Sequence, residues 1–204
     1  MSEIKQNFQR HRPHPWHGIE PMVEEPDRIR CFIEITQYDR IKFEMDPMTG
    51  YLCVDRPQRN SSLPPNPYGF IPQTLCGPRL GDRMNAGTAG DNDALDICIL
   101  SEHELTRSEV VLTVRIIGAI KTVDHDQADP KLIAVLEGDL LWGDLKDLDE
   151  VPASQLERLE HYFRQYKVER ERPNPVNLIG RGDRAEALEL LNLAMEDYRE
   201  AFPS

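Results

Sequence analysis

The chain has 204 residues, with 24 basic against 36 acidic side chains and a formal net charge of −12. An acid excess of this size argues against a nucleic-acid partner, because backbone binding is built from clustered Lys and Arg that release counterions. The length suits one domain with a real core, and 39% hydrophobic with 29% charged residues is the polar end of globular composition, short of the disordered class.

Residues 1–27 are polar and broken by prolines, and read as an arm wrapped on the surface or loosely ordered, ahead of a single domain over 28–204. The opening MSEIKQNFQRHRPHPWHG lacks the apolar core of a signal peptide, and no run reaches the roughly 18 apolar residues of a membrane span. A cytoplasmic location without a membrane partner is expected. His11, His14 and His17 recur every third residue, which suggests a metal site, but Pro13 and Pro15 keep them off one helical face and favour a surface tail. Cys31, Cys53, Cys76 and Cys98 form no Cys-x-x-Cys pair and are expected as free, buried thiols.

From Cys31 the texture changes to short strands. CFIEI is the first; IKFEMD and YLCVDR follow, joined by PMTG, whose Pro47 and Gly50 suit a tight turn ending in a left-handed residue. Period-two alternation puts Ile41, Phe43 and Met45 on one face and Lys42, Glu44 and Asp46 on the other, while Leu52, Val54 and Arg56 share a face. A Gly-rich loop, CGPRLGDRMNAGTAG, runs into DNDALDICIL; VVLTVRIIGAI and KLIAVL are further strands, divided by the acidic turn DHDQAD. Closely spaced strands without alternating helices point to a small barrel or sandwich. Two helices close the chain. Ser154 and Glu157 read as a capping box opening SQLERLEHYFRQYK, with Leu156, Leu159, Phe163 and Tyr166 as its apolar stripe. The last helix starts at Asp183, with Leu188, Leu191, Met195 and Tyr198 on its buried face; a short strand, NLIG, lies between the helices.

Asp91, Asp93 and Asp96 sit between a glycine loop and a strongly apolar strand. Clustered acids there repel one another unless cations neutralise them, and hard oxygen ligands select Mg²⁺, Mn²⁺ or Ca²⁺. Asp124 and Asp129 flank another turn, with Lys131 close behind. An EF-hand fails, because its fifth position would be Leu95 and its sixth, which needs glycine, is Asp96. The aspartyl-phosphatase pattern fails too, since the apolar strand follows the motif instead of preceding it.

The ordered set of Glu34, Lys42 and Glu44, then Asp55-Arg56, NPYG around Tyr68, Asp91-x-Asp93-x-x-Asp96, Asp124, Asp129 and Lys131, GDLKDLDEVP and HYFRQYK resembles the family I soluble inorganic pyrophosphatases over about residues 31–167. The resemblance implies a mainly β fold, an OB-like five-stranded β-barrel with the two C-terminal helices packed beside it, that hydrolyses pyrophosphate to two phosphates with Mg²⁺, Mn²⁺ being a substitute. It implies that Asp91, Asp96 and Asp129 hold metals that activate the attacking water, and that Asp93 is the general base beside it. Asp124 would join Asp129 at a substrate-accompanying metal, and Glu34 and Glu44 would face a cation from the opposite wall. Lys42, Arg56, Lys131, Tyr166 and Lys167 would contact phosphate oxygens, with Tyr68 beside the nucleophile. Bacterial members are commonly homohexamers, so a homo-oligomer is expected.

Three departures stand out: Ala94 replaces the usual proline, Pro64 occupies a position that commonly contributes to the site, and the loop from Gly77 to Gly90 is long. Asp46, Asp55, Lys146 and Asp147 read as structural, and Arg59, Arg79 and Arg83 as loop solubility. Two rivals stay open: a non-catalytic OB-like binding module, which needs a basic groove with interleaved aromatics, and a metal-dependent phosphohydrolase acting on nucleotides or polyphosphate.

Overall fold

The computed structural model describes residues 13–23, 28–58, 63–84, 89–168 and 174–203. His11 and Arg59 fall outside them. Nine strands are present among these residues: β1 (Arg28–Ile35), β2 (Ile41–Met45), β3 (Leu52–Pro57), β4 (Tyr68–Phe70), β5 (Asp96–Leu100), β6 (Val110–Asp124), β7 (Gln127–Ala128), β8 (Lys131–Leu136) and β9 (Val176–Gly182). Five of them close on themselves in the order β1-β4-β5-β8-β6, with β6 returning to β1 from Arg28↔Arg115 to Ile33↔Val110. This ring is the OB-like architecture expected.

β5 and β8 run parallel and are apolar almost without interruption, because both of their faces are covered. Ile97, Ile99, Leu132 and Ala134 pack toward α3 (Arg184–Ala201), whereas Cys98, Leu100, Ile133 and Val135 pack toward α2 (Ala153–Gln165). Burial of each such side chain is worth roughly 1.5–3 kcal/mol. The α2 stripe is as expected, with Tyr162 added, and α3 buries Leu191, Met195 and Tyr198 with Leu188 at its margin. Asp183 caps α3 by accepting from Glu186 N at 2.8 Å. The capping box at Ser154 is corrected: Pro152 is the N-cap of α2 and no side chain bonds there, so Ser154 already lies inside the first turn.

The glycine loop contains a helix that its composition hid. α1 (Pro78–Arg83) starts with proline at the first turn, where the missing N–H costs nothing. Asp197 of α3, almost fully buried, accepts from Arg79 N at 3.1 Å and Leu80 N at 3.3 Å and also pairs with the Arg79 guanidinium. Arg83 pairs with Glu186 and Glu189, so Arg79 and Arg83 serve structure.

β2 and β3 form a separate two-stranded sheet. Gly50 closes its turn at φ 72°, and Asp46 O accepts from Gly50 N at 2.8 Å. Lys42 pairs with Arg56 but Phe43 with Val54, which leaves Asp55 as an extra residue in β3. That bulge overturns the expected shared face: Arg56 is half-buried while Val54 is 62% exposed. Cys53 is exposed as well, against expectation; all four cysteines are free and the other three are buried.

The arm also differs from a surface tail over residues 13–18. Trp16 is 5% exposed, its Nε1 donates to Thr74 O at 2.8 Å, and His17 Nδ1 meets Tyr198 Oη at 2.7 Å. The indole buries a large apolar surface in the cluster of Phe32, Met45, Phe70, Leu75 and Tyr198, which anchors the segment on the domain.

Candidate active site

One end of the ring gathers the acids. In the parallel pair, Asp96 opens β5 and Lys131 opens β8, and the register sets them side by side. Tyr68 opens β4 next door. A two-residue hairpin, His125 and Asp126 at φ 46° and 64°, turns β6 back into β7 and brings Asp124 and Asp129 to the same end. Ahead of β5, Asn92 takes φ 65° and Asp93 N donates to Asp91 Oδ1 at 3.1 Å. This loop is splinted on the segment before α1: Cys76 N donates to Asp93 O at 2.8 Å, Asn92 N to Cys76 O at 3.0 Å, and a Cβ on Gly90 would lie 1.9 Å from Cys76 O.

Lys131 is the hub. It is 1% exposed, and its ammonium donates to both Asp96 and Asp129, while Tyr68 Oη donates to Asp96. Lys167, just beyond α2, pairs with Asp124, which also meets His125. On the hairpin, Lys42 binds Glu44 at 2.6 Å and Asp55 at 3.1 Å, and Arg56 binds Asp55. The Arg56 guanidinium lies 5.9 Å from the Tyr166 ring centroid, and its Nη2 is buried without a hydrogen-bond partner among the described residues, a donor suited to an anion. Glu34 accepts from Met45 N at 2.8 Å.

Eleven of the thirteen expected site residues line one cleft: Glu34, Lys42, Glu44, Tyr68, Asp91, Asp93, Asp96, Asp129, Lys131, Tyr166 and Lys167. Arg56 and Asp124 stand behind its wall, against Tyr166 and Lys167 respectively. Trp16, Met45, Pro47, Phe70 and Ala94 complete the lining. Sequence reading marked only Ala94, as a departure within the acid motif, and missed the other four, for which the one available signal was a tryptophan inside an otherwise polar arm.

The acids are electrostatically frustrated. Burial pushes Glu34 up to about 8, with Asp96 adding to it, and Asp91 to about 6 despite the pull of Lys131. Burial raises Asp129 ahead of the opposing Lys131, and Asp93 is raised by burial, Asp96 and Glu44. Burial alone would push Lys131 down, but Asp129 and Asp96 outweigh it and hold the ammonium charged. Asp124 also feels burial, yet Lys167 and His125 keep it below the usual carboxylate range. Among the described residues no three acids, histidines or cysteines are drawn together around one point. Lys131 occupies the centre instead. Seven carboxylates against four cations nevertheless leave a surplus of hard oxygen donors, the set that fits Mg²⁺ or Mn²⁺.

A sequence model of the inorganic pyrophosphatase family matches residues 31–199, beyond the 31–167 of the motif resemblance and through most of α3. The chain is similar to an inorganic pyrophosphatase of Chlamydia trachomatis, 40% identical over 199 residues that cover 93% of this chain and 95% of that one. A soluble inorganic pyrophosphatase of Oryza sativa is 31% identical over 164 residues, covering 80% and 70%. Among solved structures, the inorganic pyrophosphatase of Thermus thermophilus superposes with a TM-score of 0.78 at 28% identity, covering 91% of this chain and 99% of that one. With a matched length, a matching ring of strands and the expected acids converging at one end of it, the chain belongs to the inorganic pyrophosphatase family.

Proposed function

We propose that this chain hydrolyses pyrophosphate to two orthophosphates with Mg²⁺, which Mn²⁺ can replace, at the cleft around Lys131. The observation that carries the reading is the convergence of Asp91, Asp93, Asp96 and Asp129 with Lys42, Lys131 and Lys167 on one cavity. Asp91, Asp96, Asp124 and Asp129 are the proposed metal ligands, with Glu34 and Glu44 on the opposite wall. Bound divalent cations would supply charge neutralisation of the polyanion and a lower pKa for water. Asp93 takes the proton of the attacking water. Lys42, Arg56, Tyr166 and Lys167 hold phosphate oxygens as charge grows on the leaving group. Lys131 is shared between Asp96, Asp129 and substrate, and Tyr68 holds Asp96 in place.

Against nucleotide hydrolysis, Trp16, Phe70 and Tyr166 of the cleft lining are packed inward, at 5%, 3% and 7% exposure, where a base gains little by stacking; polyphosphate is separated by the assay below. A nucleic-acid-binding module is opposed by the acids that fill the cleft. The proposed setting is cytoplasmic, supported by the four free thiols; among the described residues no helix is long and apolar enough to cross a membrane. A homo-oligomer is supported by large apolar side chains left in solvent, Leu140 at 93% and Leu141 at 60% exposure; a hexamer is favoured on the family resemblance alone.

Phosphate release from pyrophosphate is expected with Mg²⁺ and is expected to vanish with EDTA, with ATP and tripolyphosphate turned over far more slowly. Folded protein that releases no phosphate from pyrophosphate, or prefers ATP, overturns the reading.

A stability profile follows from the same electrostatics. Glu34, Asp91 and Asp129 titrate higher folded than unfolded and outnumber His17, which burial and His14 shift the other way in the same range, so the metal-free protein holds more protons than the unfolded chain between about pH 4.5 and 8. Its stability should therefore fall as pH rises through that window. Asp124, shifted the other way, acts only at more acid pH, and Lys131 only at more alkaline pH. Melting curves in EDTA should show a falling Tm from pH 5 to 8, and Mg²⁺ should restore most of it at pH 8. A Tm that rises over this range in EDTA contradicts the assignment.

A further inference from the structure

Trp16 lies ahead of the matched residues 31–199, yet it stands in the wall of the catalytic cleft. Two lines of contact run from it to opposite sides. Its Nε1 donates to Thr74 O at 2.8 Å, and the hydroxyl of the same Thr74 accepts from Leu95 N at 2.9 Å, inside the loop that carries Asp93 and Asp96. Ile71 N reaches Leu95 O at 2.9 Å, so Thr74 is the centre of a short splint under the acids. On the other side the indole shares its cluster with Met45 and Leu52 of the β2–β3 hairpin. Pro15 and His14 crowd Gly50, where an added Cβ would meet Pro15 Cδ at 2.8 Å. Met45 N in turn holds Glu34.

The hairpin shares no ladder with the ring among the described residues. Strand pairing therefore does not set the separation of Lys42, Glu44 and Arg56 from the acid loop; the short connection from β1, the Met45–Glu34 bond and the packing around Trp16 do. We propose that Trp16 is a positioning residue for pyrophosphate hydrolysis, fixing the distance between the acid loop and the cationic hairpin. The proposal rests on the reading of this cleft as a pyrophosphatase site.

Trp16→Phe keeps aromatic packing but loses the donor to Thr74, whereas Trp16→Ala loses both. Outer contacts of this kind typically govern 10–100-fold in activity. Trp16→Phe is expected to lower kcat about ten-fold with KM changed less than about two-fold, because only the splint of the acid loop is cut. Trp16→Ala is expected to raise KM for pyrophosphate about ten-fold as well, because the hairpin is released. Leu190→Ala, at a fully buried position of α3 away from the cleft, serves as the stability control and is expected to lower Tm with kcat and KM unchanged. Parent-like kcat and KM in both Trp16 variants, or losses that Leu190→Ala reproduces, overturn the proposal; if Trp16→Ala does not fold, the split seen in Trp16→Phe decides. Failure of the parent chain to hydrolyse pyrophosphate sinks the reading of the site instead, so the two failures are told apart.

Discussion

Replacing Asp93 with asparagine is expected to lower kcat by about 10²–10⁴-fold, the usual contribution of a positioned general base, while fold and Mg²⁺ binding persist. The backbone at Asp93 is held independently of its side chain, since Cys76 N donates to its carbonyl at 2.8 Å and its own N–H goes to Asp91. Asparagine is nearly isosteric and leaves Asp91, Asp96 and Asp129 untouched. What it removes is basicity. Burial and the charges of Asp96 and Glu44 raise the Asp93 carboxyl, which brings it closer to the working pH and makes it a better proton acceptor than a solvated aspartate. Turnover at saturating Mg²⁺ and calorimetric titration of Mg²⁺ separate the two effects. Near-parent kcat would remove Asp93 from the role of base, and loss of Mg²⁺ binding would make it a ligand instead.

Lys131→Met is expected to cost about 3–5 kcal/mol of stability in EDTA at pH 8, the range for leaving a buried charge without its partner, and to abolish most turnover. The ammonium is the shared partner of Asp96 and Asp129, and it lies 5.9 Å from the Tyr68 ring centroid. Methionine fills the volume and supplies no charge. Two neighbouring carboxylates are then left without their shared cation. Burial already raises Asp129, so at pH 5 it accepts a proton more readily and the penalty should shrink there; at pH 8 Mg²⁺ should also reduce it by standing in for the missing charge. Urea titrations at both pH values, with and without Mg²⁺, measure this. An equal penalty under all four conditions would mean that packing, not charge, explains the loss.

Much of the site was legible because its chemistry is local. Asp91, Asp93 and Asp96 sit where a turn meets an apolar strand, and alternation assigned Lys42 and Glu44 to one face of β2. Other features depend on distant partners. α1 is invisible in CGPRLGDRMNAGTAG because its first-turn N–H groups are satisfied by Asp197. The Asp55 bulge that swings Arg56 toward Tyr166 arises from pairing with β2, and strict period-two counting cannot show an inserted residue. Trp16 looked like part of a solvated arm because the apolar partners that bury it, from Phe32 to Tyr198, lie along the rest of the chain, while its near neighbours His14 and His17 are polar. The sequence also left open which acids the cations meet: Lys42, Lys131 and Lys167 are each paired with acids. Which charges neutralise one another is decided in three dimensions.

The parallel pairing of β5 with β8 has a consequence for folding. A slip of one residue in a strand sends every side chain to the opposite face. Both strands are apolar on both faces, so hydrophobicity alone distinguishes the two registers weakly. Asp96 and Lys131 do distinguish them, because only the native register sets the carboxylate and the ammonium side by side. The pair thus proofreads the strand alignment that creates the cleft, and a chain assembled out of step would carry no centre able to bind substrate.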